Sequence, residues 1–443
     1  APPGAEIMTH PLNRWAGLRP SRRAVLGAMG AAGVSLAEAG RRRALAAQDA
    51  TPVAADDATP VAGVTLPTVQ RAAIEKLGRE ALAEHRLQAL IIHVIANGGP
   101  LTSVAFGESM NGIPATPQMH LRNGAVSIVA MTTLLLTYVD EGVITLDDSI
   151  AEWLPNLPDA DAVTLRMLAN MTAGYPDFVQ NTDFQLAFYH DPFAIWTGQQ
   201  LIDYGLSTPR IFPPGANWDY SHTNYVILGQ ALEQIGGAPL ADLLQARVQA
   251  PLGLANTQSS ETSVIPEPVL HAYSAERRPV LAIPADIPFL EETTYWNPSW
   301  TLAPGAVQTS TVADMAATAL AVAQGTLLTP ESSAAQISPD LIGFGAPLEG
   351  CPACHTLNAD YSYGLGVVIS GKWILQNPLL AGYGSVAAAL PGRNLAICVA
   401  TTFTEACFDA EGNNTSSRAS WNIFAEIAAL LAPDAPVTMR RPT

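Results

Sequence analysis

The chain has only two lysines, Lys76 and Lys372, and the residues three before them are Ala73 and Ile369. A serine and a lysine three apart on a helix share a face, so the amine can take the hydroxyl proton as the serine attacks an acyl carbon. No such pair exists here. G-x-S-x-G, H-E-x-x-H and glycine-rich phosphate loops are absent too, which leaves hydrolase elbows, zincins and P-loop chemistry without support. Tyr220 and His222, separated by Ser221, form a pair suited to acid–base work in a cleft. The plainer reading of Tyr220 is a packed aromatic whose hydroxyl caps a neighbour. Cys351-Pro352-Ala353-Cys354-His355 spells C-x-x-C-H, a pattern shared by redox pairs and haem attachment sites. Four cysteines (Cys351, Cys354, Cys398 and Cys407) are read first as two disulfides, with all three pairings open. Haem is disfavoured because the motif lies in an apparent loop insertion. A metal is disfavoured because no fourth ligand is evident nearby. No cofactor is expected.

These residues need a scaffold, and residues 119–155 indicate its centre. Residues 125–139 carry no charge and are apolar almost all round, which describes a buried helix. Asn123 and Gly124 suit its start and Asp140-Glu141-Gly142 its end. Fifteen residues are too few to span a bilayer, so a protein core must surround it. Ser127 turns about 200° away from Ala125 along this helix and should face another wall. Before this pillar, residues 66–87 read as an amphipathic helix, and 89–95 and 101–107 as a hairpin joined at Asn97-Gly98-Gly99. His93, inside the first strand, is read as structural. Residues 385–390 and 395–401 complete the strand pattern, and 421–431 form a closing amphipathic helix.

Several spaced motifs carry a family likeness. Arg122 and Gly124 precede the uncharged helix, which closes on Asp140-Glu141-Gly142 and a Leu146-Asp147-Asp148 turn. Residues 163–175 follow a Thr-Ile-Arg-x-Leu-Leu-x-His-Thr-Ser-Gly-Leu pattern. Residues 212–225 follow Pro-Gly … Tyr-Ser-Asn … Tyr, residues 250–257 follow Pro-Leu-Gly-Met-x-x-Thr, and residues 363–366 are Tyr-Gly-Leu-Gly. Gly305 followed by Ser310, Thr311 and Asp314 matches a Ser-Thr-x-x-Asp helix start, with Ser310 or Thr311 as the N-cap. Over roughly residues 65–432 the chain resembles the serine beta-lactamases and their penicillin-binding and esterase relatives. The resemblance implies an α+β, beta-lactamase/transpeptidase-like fold: an antiparallel sheet flanked by terminal helices, with an inserted all-helical domain and a cleft between them. The sheet domain would take residues 65–122 and 300–435, and the helical domain residues 123–299.

The same resemblance shows where the chain departs. The family's Ser-x-x-Lys falls on Ala125 and Ile128, and neither a methyl nor a butyl side chain can attack a carbonyl or accept a proton. His222 replaces an asparagine, while Tyr220 is retained. Met171 and Ala173 replace a histidine and a serine. Gln376-Asn377-Pro378 stands where His-x-Gly or Lys-Thr-Gly lines the cleft, and its proline adds a ring and removes a backbone donor. Ser385, after Gly382-Tyr383-Gly384, is the better candidate for a substitute hydroxyl, on the side that faces the cleft in the family, with a buried strand serine as its ordinary reading. These departures imply an inactive protein that keeps a cleft for a small-molecule or peptide ligand, a cell-wall fragment among them, or for a partner protein. Tyr220, His222, Gln376, Asn377 and Ser385 are its candidate ligand-binding residues. The alternative is an esterase or amidase with a relocated nucleophile, either Ser385 or a water activated by His222.

Composition agrees with a globular chain: 443 residues, 48% hydrophobic. Ser21-Arg22-Arg23-Ala24-Val25-Leu26, an apolar run to about Leu36, and Ala44-Leu45-Ala46 resemble a twin-arginine export signal over residues 1–47, which implies a periplasmic or extracellular protein. Glu38 and Arg41 to Arg43 interrupt that pattern. The apolar run is too short for a firm membrane span. Residues 48–64, with Thr51-Pro52-Val53-Ala54 repeated as Thr59-Pro60-Val61-Ala62, have a linker composition expected to be disordered. The net charge of −17 becomes about −22 without residues 1–47, which makes nucleic acid and anionic lipid poor partners.

Overall fold

The computed structural model describes residues 66–260 and 262–437; the stretches read as export signal (1–47) and linker (48–64) lie outside the described residues. Its largest sheet is antiparallel. From one edge the strands run Ile113–Pro114, Gly99–Met110, Leu87–Ala96, Leu395–Phe403, Tyr383–Leu390, Trp373–Gln376, Val368–Ser370 and Ser362–Tyr363, and Leu379–Leu380 pairs beside Tyr383. The hairpin expected at Asn97-Gly98 is present, with φ of 54° and 82° at these two residues, the left-handed backbone that tight two-residue turns require.

Both central strands, Tyr383–Leu390 and Leu395–Phe403, are buried along their whole length, because each sheet face is covered. Side chains alternate, so Val386, Ala388, Ile397 and Val399 join Ile423, Phe424 and Ile427 of the closing helix Ala419–Leu431. Ala387, Ala389, Ala396 and Ala400 meet Met315, Ala316 and Ala319 of the helix Val312–Gln324 on the other face. Thr311 caps that helix through the Asp314 N–H, 3.3 Å away, deciding between the two candidate caps. The opening helix, Leu66–Glu84, packs on the first hairpin.

The pillar is the helix Val126–Asp140. Twelve of its side chains are buried, which is why its sequence shows no polar stripe. Helices His222–Gly236, Leu240–Leu244, Val312–Gln324 and Pro330–Gln336 surround it. No side chain caps its start; the Asn123 amide instead donates to Gln308 Oε1 (2.9 Å), and its carbonyl accepts from Ser127 Oγ (2.8 Å). Ser127 therefore faces the interior, turned from Ala125 as the helical geometry predicts. Gly124 has φ +50°, and a Cβ placed there would lie 2.7 Å from Cβ of Pro378. Only glycine lets the Gln376-Asn377-Pro378 turn press onto the first turn of the pillar.

Candidate ligand cleft

The first turn of the pillar opens onto a cleft of about 1090 Å3. Ala125, Ile128, Tyr220, His222, Gln376, Asn377 and Pro378 all line it, so residues up to about 250 positions apart meet on one surface. Ser385 is not among the lining residues. It is buried in the strand Tyr383–Leu390, on the face shared with Tyr383, Ala387 and Ala389, and its N–H donates to the Pro378 carbonyl at 2.9 Å. Strand alternation turns it under the helix Val312–Gln324 and away from the space a ligand would enter.

Gln376 borders the cleft but its amide is committed inward, donating to the Gly366 carbonyl at 2.6 Å. It braces the strand end. Tyr220 is half-buried, with its ring 5.3 Å from that of His222 and 6.1 Å from that of Tyr363. Burial, with Tyr363, Tyr361 and Asp177 adding to it, holds the Tyr220 hydroxyl well above the ordinary phenol range, so it stays protonated near neutrality.

The partner of His222 is Asp177. Nδ1 of the ring lies 3.1 and 3.2 Å from the two carboxylate oxygens, and the backbone N–H of His222 donates to Oδ1 at 3.0 Å. Asp177 also accepts from the Val179 N–H (3.2 Å) as cap of the 3-10 turn Phe178–Gln180. A carboxylate on Nδ1 holds the ring proton there and leaves Nε2 as the basic nitrogen. The aspartate side chain is 5% exposed and the histidine 25%, so the carboxylate sits behind the ring.

Asp219 is the second buried acid. Burial first, then the Asp177 charge, raises its pKa to about 7, against the opposing effect of His222. Its N–H donates to the carbonyl of Met171 (3.1 Å), a residue at φ +68° whose Sδ also accepts from the Ser221 N–H. The left-handed Met171 thus fixes the backbone of the Asp219–Ser221 segment from both ends.

The cysteines differ from the expectation of two disulfides. Cys351 and Cys354 are joined to each other, whereas Cys398 and Cys407 are free and buried. Cys398 lies mid-strand in Leu395–Phe403 and Cys407 beyond its end; at about 3.3 Å per strand residue they are too far apart to bridge. With Cys351 bonded to Cys354, neither sulfur is available for the thioether bonds of a C-x-x-C-H haem site.

Asp177, Asp183, Asp219 and Glu349 line the cleft, and no lysine or arginine is found among the described lining residues. The sequence reading missed Asp177 and Asp219. Asp177 lies 45 positions from the histidine it serves, and no local pattern marks either acid as buried.

The sequence pattern that defines the family described as Beta-lactamase matches residues 74–419. The chain belongs to the beta-lactamase family. It is 31% identical over 182 residues to "Penicillin-binding protein 4" of Amycolatopsis lactamdurans, covering 39% of this chain and 44% of that protein. It is 31% identical over 136 residues to "Penicillin-binding protein 4*" of Bacillus subtilis, covering 30% of this chain and 29% of the relative. It is 28% identical over 199 residues to the esterase EstB of Burkholderia gladioli, covering 41% and 50%. The matches thus span half or less of these relatives. Among solved structures, the D-amino acid amidase of Ochrobactrum anthropi SV3 superposes with a TM-score of 0.66 at 20% identity, covering 82% of this chain and 98% of that one. A D-stereospecific amidohydrolase from Streptomyces gives 0.64 at 22%, covering 82% and 99%. The fold is beta-lactamase/transpeptidase-like, as the motifs implied, and the proteins similar to this chain in sequence include an esterase and D-alanyl-D-alanine carboxypeptidases.

No helix of the described residues is long and apolar enough to cross a membrane.

Proposed function

We propose that this chain is an exported, non-acylating member of the beta-lactamase family whose cleft binds a ligand without forming a covalent intermediate on the pillar. One observation carries the reading: Ala125 and Ile128, the positions that match the family's serine and lysine, line the cleft with side chains that have no nucleophile and no base. The cleft's charge narrows the ligand class. Four carboxyl residues line it with no arginine or lysine among the described lining residues, so a carboxylate-bearing ligand would meet no permanent counter-charge. A neutral or amine-bearing small molecule or peptide fits better, including amine-bearing cell-wall fragments. Periplasmic or extracellular placement rests on the twin-arginine-like segment and on the family's penicillin-binding relatives.

The test is the intact mass of the purified chain after exposure to a reactive penicillin and, separately, a fluorophosphonate, beside an Ala125→Ser, Ile128→Lys double variant. The expected result is no adduct on the native chain and one on the double variant. A specific adduct on the native chain would overturn the reading.

A second reading has its own support in the Asp177–His222 pair. A histidine oriented by a buried carboxylate can take a proton from water, which would make the chain a hydrolase of esters or amides without an acyl-enzyme. Turnover that collapses in His222→Ala and survives in Ser385→Ala would favour it over the binding role.

A further inference from the structure

The Cys351–Cys354 disulfide lies in the wall of the same cleft, and nothing in the binding role calls for it. Cys351 borders the open space together with Gly350, Pro352, Ala353 and His355, whereas Cys354 is not among the lining residues. A carboxylate oxygen of Asp219 and the two sulfur atoms all lie within 4.8 Å of one another. That range sets the acid beside both sulfurs. Asp219 is 5% exposed and lines the cleft beside them. A carboxyl this buried is costly to keep charged. Beside a C-x-x-C disulfide it serves as a store for one proton.

We infer that Cys351–Cys354 is a redox-active disulfide that exchanges with dithiols entering the cleft, Cys351 being the sulfur attacked and Asp219 the proton donor to the sulfur that leaves. In the first step a thiolate of the incoming dithiol attacks Sγ of Cys351. A new S–S bond forms, the Cys351–Cys354 bond breaks, and its electron pair goes to Sγ of Cys354, which takes the proton of Asp219. In the second step the other thiol of the dithiol, as thiolate, attacks its own partner sulfur in the mixed disulfide. The oxidised cyclic disulfide departs and Cys351 is released as thiolate, which takes from water the proton that the first attacking thiol gave up. Overall, one dithiol is oxidised and one protein disulfide is reduced to two thiols. Asp219 regains its proton from the second thiol or from water.

The chemistry favours this order. The attacked sulfur must be reachable; both cysteines are buried, at 5% and 6% exposure, and of the two it is Cys351 that borders the cleft. The leaving thiolate departs faster when a proton is supplied. With a pKa of about 7, Asp219 is about half protonated at neutral pH and can both give and recover it.

The test uses the full chain. Reduction by dithiothreitol is followed by alkylation and peptide mass spectrometry of the 351–354 segment, in native buffer and in urea. The expected native reaction is first order in dithiothreitol and faster than global unfolding. Asp219→Asn should slow it about tenfold or more at pH 7 and leave the rate in urea unchanged. Native reduction that saturates at the unfolding rate, or an Asp219→Asn rate equal to the parent's, would overturn the assignment. Two further variants separate the sulfurs. In Cys354→Ser the remaining Cys351 should react with 5,5′-dithiobis(2-nitrobenzoate) while Cys398 and Cys407 stay silent. In Cys351→Ser the remaining Cys354 should react at least tenfold more slowly. Equal rates, or the reverse order, would refute the assigned direction of attack.

Discussion

Asp219→Asn should make the folded chain progressively more stable, relative to its parent, as pH rises. Folding carries the Asp219 carboxyl from its ordinary value of 3.8 to about 7, chiefly because the side chain is buried beside the charge of Asp177. Between those two values the folded protein holds a proton that the unfolded chain has released. The stability of the parent therefore falls as pH rises through this window and levels off above about pH 7. At 1.36 kcal/mol per pH unit the full penalty is bounded at about 4 kcal/mol. Asparagine has no such proton. It carries its own cost, about 1–3 kcal/mol for a buried amide without a partner, but that cost does not vary with pH. The quantity to measure is thus the slope of the difference. Urea unfolding of both proteins from pH 4.5 to 8, with the disulfide kept oxidised, should show the variant gaining on the parent by about 2–4 kcal/mol, with most of the change below pH 7. A pH-independent difference would refute the buried-acid account of Asp219. A slope of opposite sign would mean that the carboxylate is stabilised where it sits.

Other substitutions probe the walls around it. Gly124→Ala forces both a left-handed alanine and a contact with Pro378, and should lower stability by about 1–3 kcal/mol in chemical denaturation; adding Pro378→Ala should restore part of the loss and no more, because φ at 124 stays at +50°. His222→Ala leaves Asp177 with its backbone donors but without the imidazole, at a cost of about 1–2 kcal/mol by thermal unfolding. Thr311→Ala removes the cap on the helix Val312–Gln324 and should cost about 0.5–2 kcal/mol by the same assay.

Local physics made much of this scaffold legible. An uncharged run of fifteen residues admitted little besides a buried helix, Asn97-Gly98 admitted a tight hairpin, and Thr311 stood where a cap was needed. The spacing of Ala125, Ile128 and the Gln376-Asn377-Pro378 turn to motifs with fixed places in the fold put them on one cleft in advance. What stayed hidden depended on encounters between distant segments. Asp177 becomes the support of His222 only once a 3-10 turn and a helix start are brought together. Asp219 becomes a perturbed acid by burial and by the charge of the distant Asp177, neither of which its sequence neighbours report. Ser385 was placed at the cleft by analogy, and strand parity sent it to the opposite wall. The cysteines could be counted but not paired, because the pairing turns on Cys398 and Cys407 lying along one extended strand and its continuation.

The central seam of the sheet has a consequence for how the chain reaches this state. Leu87–Ala96 lies against Leu395–Phe403, so Leu90 meets Thr401 and His93 meets Cys398 across some three hundred intervening residues. During synthesis the early hairpin leaves the ribosome long before its partner strand exists, with Ile91 and Val94 in a strand that has no neighbour on one side. The helices His222–Gly236 and Leu240–Leu244 can gather around the pillar from nearer contacts, but the seam must wait for almost the whole chain. Contacts this distant in sequence slow folding and leave strand edges open to other chains in the meantime. A truncation before residue 395 should accordingly yield a chain that holdase chaperones retain and that aggregates when released, even though every residue of the cleft has already been made.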